Sequence, residues 1–291
     1  MTTATEAKSG KGHKDENFPV ASHLISPRHR GPILAFYRFV RAADDVADHA
    51  TLSADEKLRM LDALEAALTG TGPADPEAEP LRLALAERGL LPRHAQDLLD
   101  AFRQDARKTR YANWRELIDY CALSAMPVGR FVLDVHGEDR RTWAASDALC
   151  AALQVINHLQ DCAKDYRSIN RVYLTADSLA RHGARIEELA DPKASPALLA
   201  VIRELNEGCA GLLQESAVFP SIIADRRLAL EVAVIQSLAE SLVRKLRTRD
   251  PLSERVHATK PEALVAAGSG ILKALLQRVG GGARTQAKLA P

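Results

Sequence analysis

Tyr37–Asp48 reads YRFVRAADDVAD. On a helix, Tyr37, Arg41, Asp44, Asp45 and Asp48 fall at i, i+4, i+7, i+8 and i+11, which places all five on one face. Like charges one turn apart destabilise a helix by about a few tenths of a kcal/mol, so stability alone would not select this pattern. A cation lying among the carboxylates accounts for it. Asp44 and Asp48 are one turn apart, about 6 Å along the axis, a spacing suited to hard, oxygen-seeking ions such as Mg2+. A solvated acidic helix face would explain a lone DxxxD equally well.

A second stretch, Gln154–Asp165, reads QVINHLQDCAKD. Gln154, Asn157, Asp161 and Asp165 again share one helical face, at i, i+3, i+7 and i+11. Their neighbours Leu149, Leu153, Val155, Ile156 and Leu159 are apolar, so this helix is largely buried and its carboxylates face an interior. Carboxylates in an interior are paired or bind metal. Two acidic faces across one cavity, with Mg2+ taking one or two carboxylates plus substrate phosphates, outline a site for a Mg2+–diphosphate group.

Composition agrees with a helical frame. The 291 residues are 46% hydrophobic but only 4% aromatic, dominated by Ala and Leu, which favours helix-on-helix packing over sheets. A net charge of +1 gives no global pull toward nucleic acid. Cys121, Cys150, Cys162 and Cys209 form no CxxC pair and read as buried thiols of a reducing compartment. No signal-peptide core follows Met1 and no long apolar run appears, so a cytoplasmic protein is expected.

In order along the chain, residues 1–14 and 280–291 read as disordered tails around one all-α domain, 15–279. Ser22 and His23 lie in a Pro-containing entry segment before the first motif helix, which starts at Pro27 and runs to about His49. Ser53-x-x-Glu56 is a capping box for a helix ending at Gly70. Further helices are expected at 81–89, 92–108, from the Asn113 cap onward, 142–166, 175–182, 195–218, 224–247 and 261–279. Pro127 falls inside the helix opened at Asn113 and should kink it beside Ser124, facing the cavity. Arg171 and Tyr173 sit in a short link (NRVYL) just beyond the second acidic face.

The sequence has no Walker lysine loop and no GxGxxG after a strand, so no nicotinamide-binding unit is encoded. No nucleophile–base set declares itself by spacing. What remains is electrostatic: carboxylates for metal, Arg38, Arg41 or Arg171 for charge-assisted bonds to phosphate, and an apolar helical chamber. That set suits ionisation of a carbon–oxygen bond with diphosphate leaving.

The pattern YxxxRxxDDxxD, the helix YCxxSAxPVGR, and QxxNxxQDxxxD followed by RVYL resemble the squalene/phytoene synthase family, from about residue 16 to 250. The resemblance implies an all-α isoprenoid synthase fold with two facing aspartate-rich motifs. It implies that Asp44, Asp48, Asp161 and Asp165 hold Mg2+–diphosphate, and that Tyr37, Arg41, Gln154, Asn157 and Tyr173 line the same site. Tyr120 matches the family tyrosine placed near the reacting carbons. Two departures, Gln160 where condensing members carry Arg and Ser124–Gly129 where they carry a VAG stretch, resemble the branch that serves hopanoid biosynthesis. That branch ionises presqualene diphosphate, rearranges the cation and captures water. Losing the arginine at 160 would fit a substrate with one diphosphate. The alternatives are condensation of two farnesyl diphosphates and, outside catalysis, an assembly or scaffold role. A transient contact with a presqualene diphosphate synthase is the partner expectation, and the sequence leaves open whether substrate passes directly between the two. The helix 261–279 and its basic tail would allow peripheral membrane contact, with core packing or dimerisation as the other reading.

Overall fold

The structure, a computed structural model, describes residues 25–259 and 261–272. Among these residues the regular elements are helices, and no strand occurs. In chain order they are α1 (Pro27–Ala47), α2 (Ala54–Thr69), α3 (Glu79–Arg88), α4 (Arg93–Asp105), α5 (Trp114–Ser124), α6 (Met126–His136) and α7 (Trp143–Ile169). They continue as α8 (Ala176–His182), α9 (Pro196–Glu215), α10 (Phe219–Ile222) and α11 (Arg226–Leu246). A last helix, α12, covers 261–272. The sequence places a helix on to residue 279; its final part, Ser22, His23 and both tails lie outside the described residues.

Local chemistry sets the boundaries. At α2, the Ser53 hydroxyl accepts from the Glu56 N–H at 3.3 Å, and the Glu56 carboxylate accepts from the Ser53 N–H at 2.8 Å. Both exposed donors of the first turn are thereby satisfied. Gly70 ends α2 with φ of 74°, a conformation that costs a side-chain-bearing residue. Asn113 caps α5 by accepting from the Glu116 N–H at 3.0 Å.

One expectation changes at Pro127. The chain does not bend within a single helix. It stops at Ser124, passes through Ala125 at φ −132°, and restarts as α6 with Pro127 in the first turn. There the missing proline N–H has no intrahelical acceptor to lose. The break sets Ser124 and Ala125 into the wall of the central cavity.

Two apolar cores flank that cavity. One joins α1, α2, α3 and α4 through Phe39, Leu64, Leu81 and Leu98. The other joins α5, α7, α9 and α11 through Leu117, Ile156, Leu205 and Leu242. Helix α6 belongs to both, giving Phe131 and Val135 to the first and Leu133 to the second. Phe131 stacks on Phe36 of α1, centroids 4.0 Å apart and rings 9° from parallel. On its other side α6 meets α7 at Gly129, where an added Cβ would lie 2.4 Å from Ser146 Oγ and 2.6 Å from Cys150 Sγ. Only glycine permits that approach. Helix α12 rests on α11 through Gly270 and leaves Leu264, Val265 and Leu272 exposed. No described helix is long and apolar enough to cross a membrane.

Candidate active site

Between the two cores lies a cavity of about 440 Å3, within the range of small-molecule sites. Its wall is sorted by polarity. Tyr37, Arg41 and Asp44 from α1 and Gln154 and Asn157 from α7 make one end polar. Phe36, Leu98, Phe102, Leu149, Phe219 and Val232 make most of the remainder apolar, interrupted by Ser124, Ser146 and Glu231. This follows from helical spacing: Tyr37, Arg41 and Asp44 are successive turns of one stripe, and Leu149, Leu153 and Asn157 of another.

The polar end is rich in negative charge. Arg41 spans Asp44 at 2.9 Å and Asp45 at 2.8 Å. Asp45 is buried, so it serves as a counter-ion beneath Arg41 and does not belong to the wall. Burial, then repulsion from Asp48, pushes the Asp44 carboxyl up to about 7 against the pull of Arg41. Burial, then repulsion from Asp161, does the same to Asp165, also to about 7. Lys164 stands 3.8 Å from Asp161.

Beneath this mouth is a layer of buried charge and aromatic rings. Arg171 reaches Asp48 with Nη1 at 3.0 Å. Its backbone N–H donates to the Asp165 carbonyl at 3.3 Å, so one residue ties the two acidic motifs together. Its Nη2 donates to the Asp105 carbonyl at 3.3 Å, and its Nε lies 3.8 Å from Asp105 Oδ1. Tyr120 donates its hydroxyl to Asp105 Oδ2 at 2.8 Å. Burial raises the Asp105 carboxyl to about 6, opposed by Arg171. Tyr173 stacks on His158 at 3.3 Å between centroids and on Tyr111 at 5.5 Å. Burial lowers His158 to about 3, so it is neutral at pH 7.

The structure therefore brings Tyr37, Arg41, Asp44, Gln154 and Asn157 onto one wall. Asp48 joins the same mouth through Arg171, and the backbone bond to Asp165 brings in the second motif. Tyr120, Arg171 and Tyr173 sit in the buried layer and do not contribute to the wall. Arg171 and Tyr173, expected in the site, thus lie behind its wall, and two further residues lie away from it. Arg38 is exposed and off the cavity, because it lies a quarter-turn from the Tyr37–Arg41 stripe. Gln160 is buried away from the cavity, its amide donating to the Val256 carbonyl. The residue at 160 thus anchors the segment after α11.

Several groups went unread in the sequence. Asp105, Tyr111 and His158 complete the buried layer, and Glu231, 4% exposed, stands in the wall among Leu228, Val232 and Ile235. The four motif carboxylates do not converge on one point. Among the described residues, the three-ligand cluster that does is His29, His136 and Asp225, where α1 begins, α6 ends and α11 begins.

Residues 11–262 match the family model for squalene/phytoene synthase. The chain belongs to the squalene/phytoene synthase family. Within it, the chain is 59% identical to the hydroxysqualene synthase of Rhodopseudomonas palustris, covering 96% of this chain and 95% of that one. It is 52% identical to the hydroxysqualene synthase of Zymomonas mobilis, over 88% and 87% of the two chains. Among solved structures, squalene synthase HpnC from Alicyclobacillus acidocaldarius superposes with a TM-score of 0.70 at 29% identity, over 78% of this chain and 86% of that one. A dehydrosqualene synthase superposes at 0.77 with 23% identity, covering 90% and 92%, and speaks to the fold.

Proposed function

We propose that this chain is a hydroxysqualene synthase, converting presqualene diphosphate and water to hydroxysqualene and diphosphate. The observation that carries this is the 59% identity over 96% of the chain with a relative of that name. The cavity supports it, with polar side chains of α1 and α7 for a diphosphate and a mostly apolar remainder for a C30 hydrocarbon.

A divalent cation fits the residues at the polar end. Asp44, Asp48, Asp161 and Asp165 offer hard oxygen donors. Burial first, and then a neighbouring carboxylate, raises Asp44 and Asp165 by more than Arg41, Lys164 and Arg171 offset. These four aspartates would hold Mg2+ with the substrate diphosphate. When bound, the cation neutralises charge building on the leaving oxygens. Arg41, on the same wall, supplies charge-assisted hydrogen bonds to the diphosphate. Gln154 and Asn157 orient it with neutral amides. The carbon–oxygen bond breaks with its electron pair going to diphosphate, which leaves a cyclopropylcarbinyl cation. Phe36, Phe102 and Phe219 keep bulk water from that cation while the ring opens. Tyr120 and Tyr173 stand behind this wall, their rings packed on one another and on Tyr111 and His158. One water then adds to the cation and loses a proton to give the alcohol. The exposed Leu264, Val265 and Leu272 of α12 support contact with a lipid surface, from which such a substrate would be drawn.

Product analysis tests this reading. Purified protein with Mg2+ is incubated separately with presqualene diphosphate and with farnesyl diphosphate, without reductant. A C30 alcohol from the first substrate alone is expected. Presqualene diphosphate formed from farnesyl diphosphate would instead make the chain a condensing synthase. No turnover of either by folded protein would favour the scaffold role.

A further inference from the structure

We infer that Asp105 is a positioning residue that couples filling of the carboxylate mouth to the placement of Tyr120, with Arg171 as the moving part. The inference rests on the reading above in one respect: Asp48 must engage the metal–diphosphate.

Three observations carry it. First, Arg171 is shared. Its Nη1 is held by Asp48 at 3.0 Å while its Nε stops 3.8 Å from Asp105 Oδ1, too far for a hydrogen bond. Second, both atoms of that unmade contact are orphans. Arg171 Nε and Asp105 Oδ1 are buried with no hydrogen-bond partner, and buried polar atoms are rarely left so. Third, the other oxygen of the same carboxylate is engaged, since Asp105 Oδ2 accepts the Tyr120 hydroxyl at 2.8 Å. Asp105, Arg171 and Tyr120 are each at most 7% exposed, so a shift in one is felt by the others with little screening from water.

In this structure the guanidinium is held by Asp48 through Nη1 and by the Asp105 carbonyl through Nη2, with the Tyr173 side chain also bonded to it. Asp48, about two-fifths exposed on its side chain, lies at the mouth. When Asp48 turns to a cation–diphosphate, its hold on Nη1 weakens, and Arg171 settles onto Asp105 to make the missing Nε–H···Oδ1 bond. The Asp105 carboxylate is then fixed on both oxygens, one by Arg171 and one by Tyr120. The Tyr120 ring becomes rigid once the diphosphate is in place, when a cation is about to form. The coupling runs both ways. By competing for Arg171, Asp105 lowers the cost of freeing Asp48, and so favours ligand binding at the mouth.

The test uses the full chain and variants Asp105→Asn, Tyr120→Phe and the double variant, each checked for helical content and Tm. Binding of Mg2+ with inorganic diphosphate is measured by calorimetry, and kcat and KM with presqualene diphosphate. Asp105→Asn should weaken diphosphate binding about fivefold, the low end of common coupling factors. Tyr120→Phe, which removes only the hydroxyl held on Asp105 Oδ2, should shift that binding less than Asp105→Asn does. For kcat, Asp105→Asn should fall about as far as Tyr120→Phe, and the double variant no further, as for residues acting as a unit. In a crystal of wild type with Mg2+ and diphosphate, Arg171 Nε to Asp105 Oδ1 should contract to about 3 Å. Equal diphosphate binding by wild type and Asp105→Asn, or kcat losses that simply multiply in the double variant, would overturn the inference. Should wild type fail to turn over presqualene diphosphate, the functional reading falls alone. The calorimetry and the crystal still decide the coupling, and an uncontracted Arg171–Asp105 gap refutes it.

Discussion

Two acidic regions of this molecule use the same residue types in opposite ways. Between α2 and α4, Arg103 holds Asp62 at 2.8 Å, Glu65 at 2.5 Å and Asp100 at 2.9 Å. Glu65 is partly buried there, yet hydrogen bonds from Gln96 and Arg103 bring its carboxyl below the usual range despite that burial. At the cavity mouth, Asp44 and Asp165 are pushed up to about 7 by burial and by neighbouring carboxylates. The first region is complete as it stands and fastens one helix to another. The second leaves two carboxyls raised despite Arg41 and Lys164. Direction of shift separates these two regions, with hydrogen bonds lowering Glu65 and burial with like charge raising Asp44 and Asp165.

The largest effect should come from breaking the second region. Asp44→Asn or Asp161→Asn should lower kcat by about a thousandfold with Mg2+ present, the scale of losing a major electrostatic contact in a transition state. Steady-state product analysis reads this directly, and undiminished turnover would remove the mouth from the mechanism. EDTA should abolish wild-type turnover, and added Mg2+ should restore it.

Next is pH. Asp44 and Asp165 carry folded values of about 7 against 3.8 as their ordinary value, so the fold favours their neutral forms. Their contribution to stability is full below the ordinary value and is lost as pH rises through 7. The buried His29, lowered to about 4, and His158, to about 3, act oppositely. Their contribution is full above pH 6.5 and is lost as pH falls below it. Between pH 6.5 and 8 Asp44 and Asp165 dominate, with Asp105 at about 6 acting in the same direction, so the Tm of metal-free protein should fall. After discounting for their partial exposure, the loss is on the order of 1 kcal/mol, about 2–4 °C for a chain of this size. Mg2+ with diphosphate should flatten that slope. Asp165→Asn should also flatten it in part and raise the metal-free Tm at pH 8 while turnover collapses.

The smallest effect belongs to the complete side. Arg103→Ala should cost about 1–2 kcal/mol of stability, because it strands a partly buried Glu65. Its kcat should stay within about twofold of wild type, as for a surface ion pair remote from chemistry. A large kcat loss there would erase the distinction between the two regions.

Much of this was legible in the sequence, for a physical reason. The all-α fold, the Ser53 and Asn113 caps, and the stripes carrying Tyr37, Arg41, Asp44, Gln154 and Asn157 are consequences of spacing, which the sequence states outright. Burial depth is not a matter of spacing, and there the reading lapsed. Gln160 and Arg38 lie next in sequence to site residues, yet side chains adjacent in a helix point about 100° apart. Asp105, His158 and Glu231 left a readable trace. Asp105 follows Leu98 by seven, His158 follows Ala151 by seven, and Glu231 follows Leu228 by three. Each is an ionisable residue at an apolar register, and the sequence marks it for burial without naming its partner. The Arg171–Asp105 contact joins residues from two distant segments, and no periodicity encodes it.

The four cysteines carry one further consequence. All are free thiols; burial raises Cys121 and Cys162 to about 12 and Cys150 to about 11, and lifts Cys209 further. At neutral pH none presents a thiolate to an alkylating reagent while the chain stays folded. Cys150 lies on the cavity wall, whereas Cys121 and Cys209 lie inside a core. The protein thus carries its own stopwatches: labelling of Cys150 times the breathing of the chamber, and labelling of Cys121 and Cys209 times the opening of the core itself.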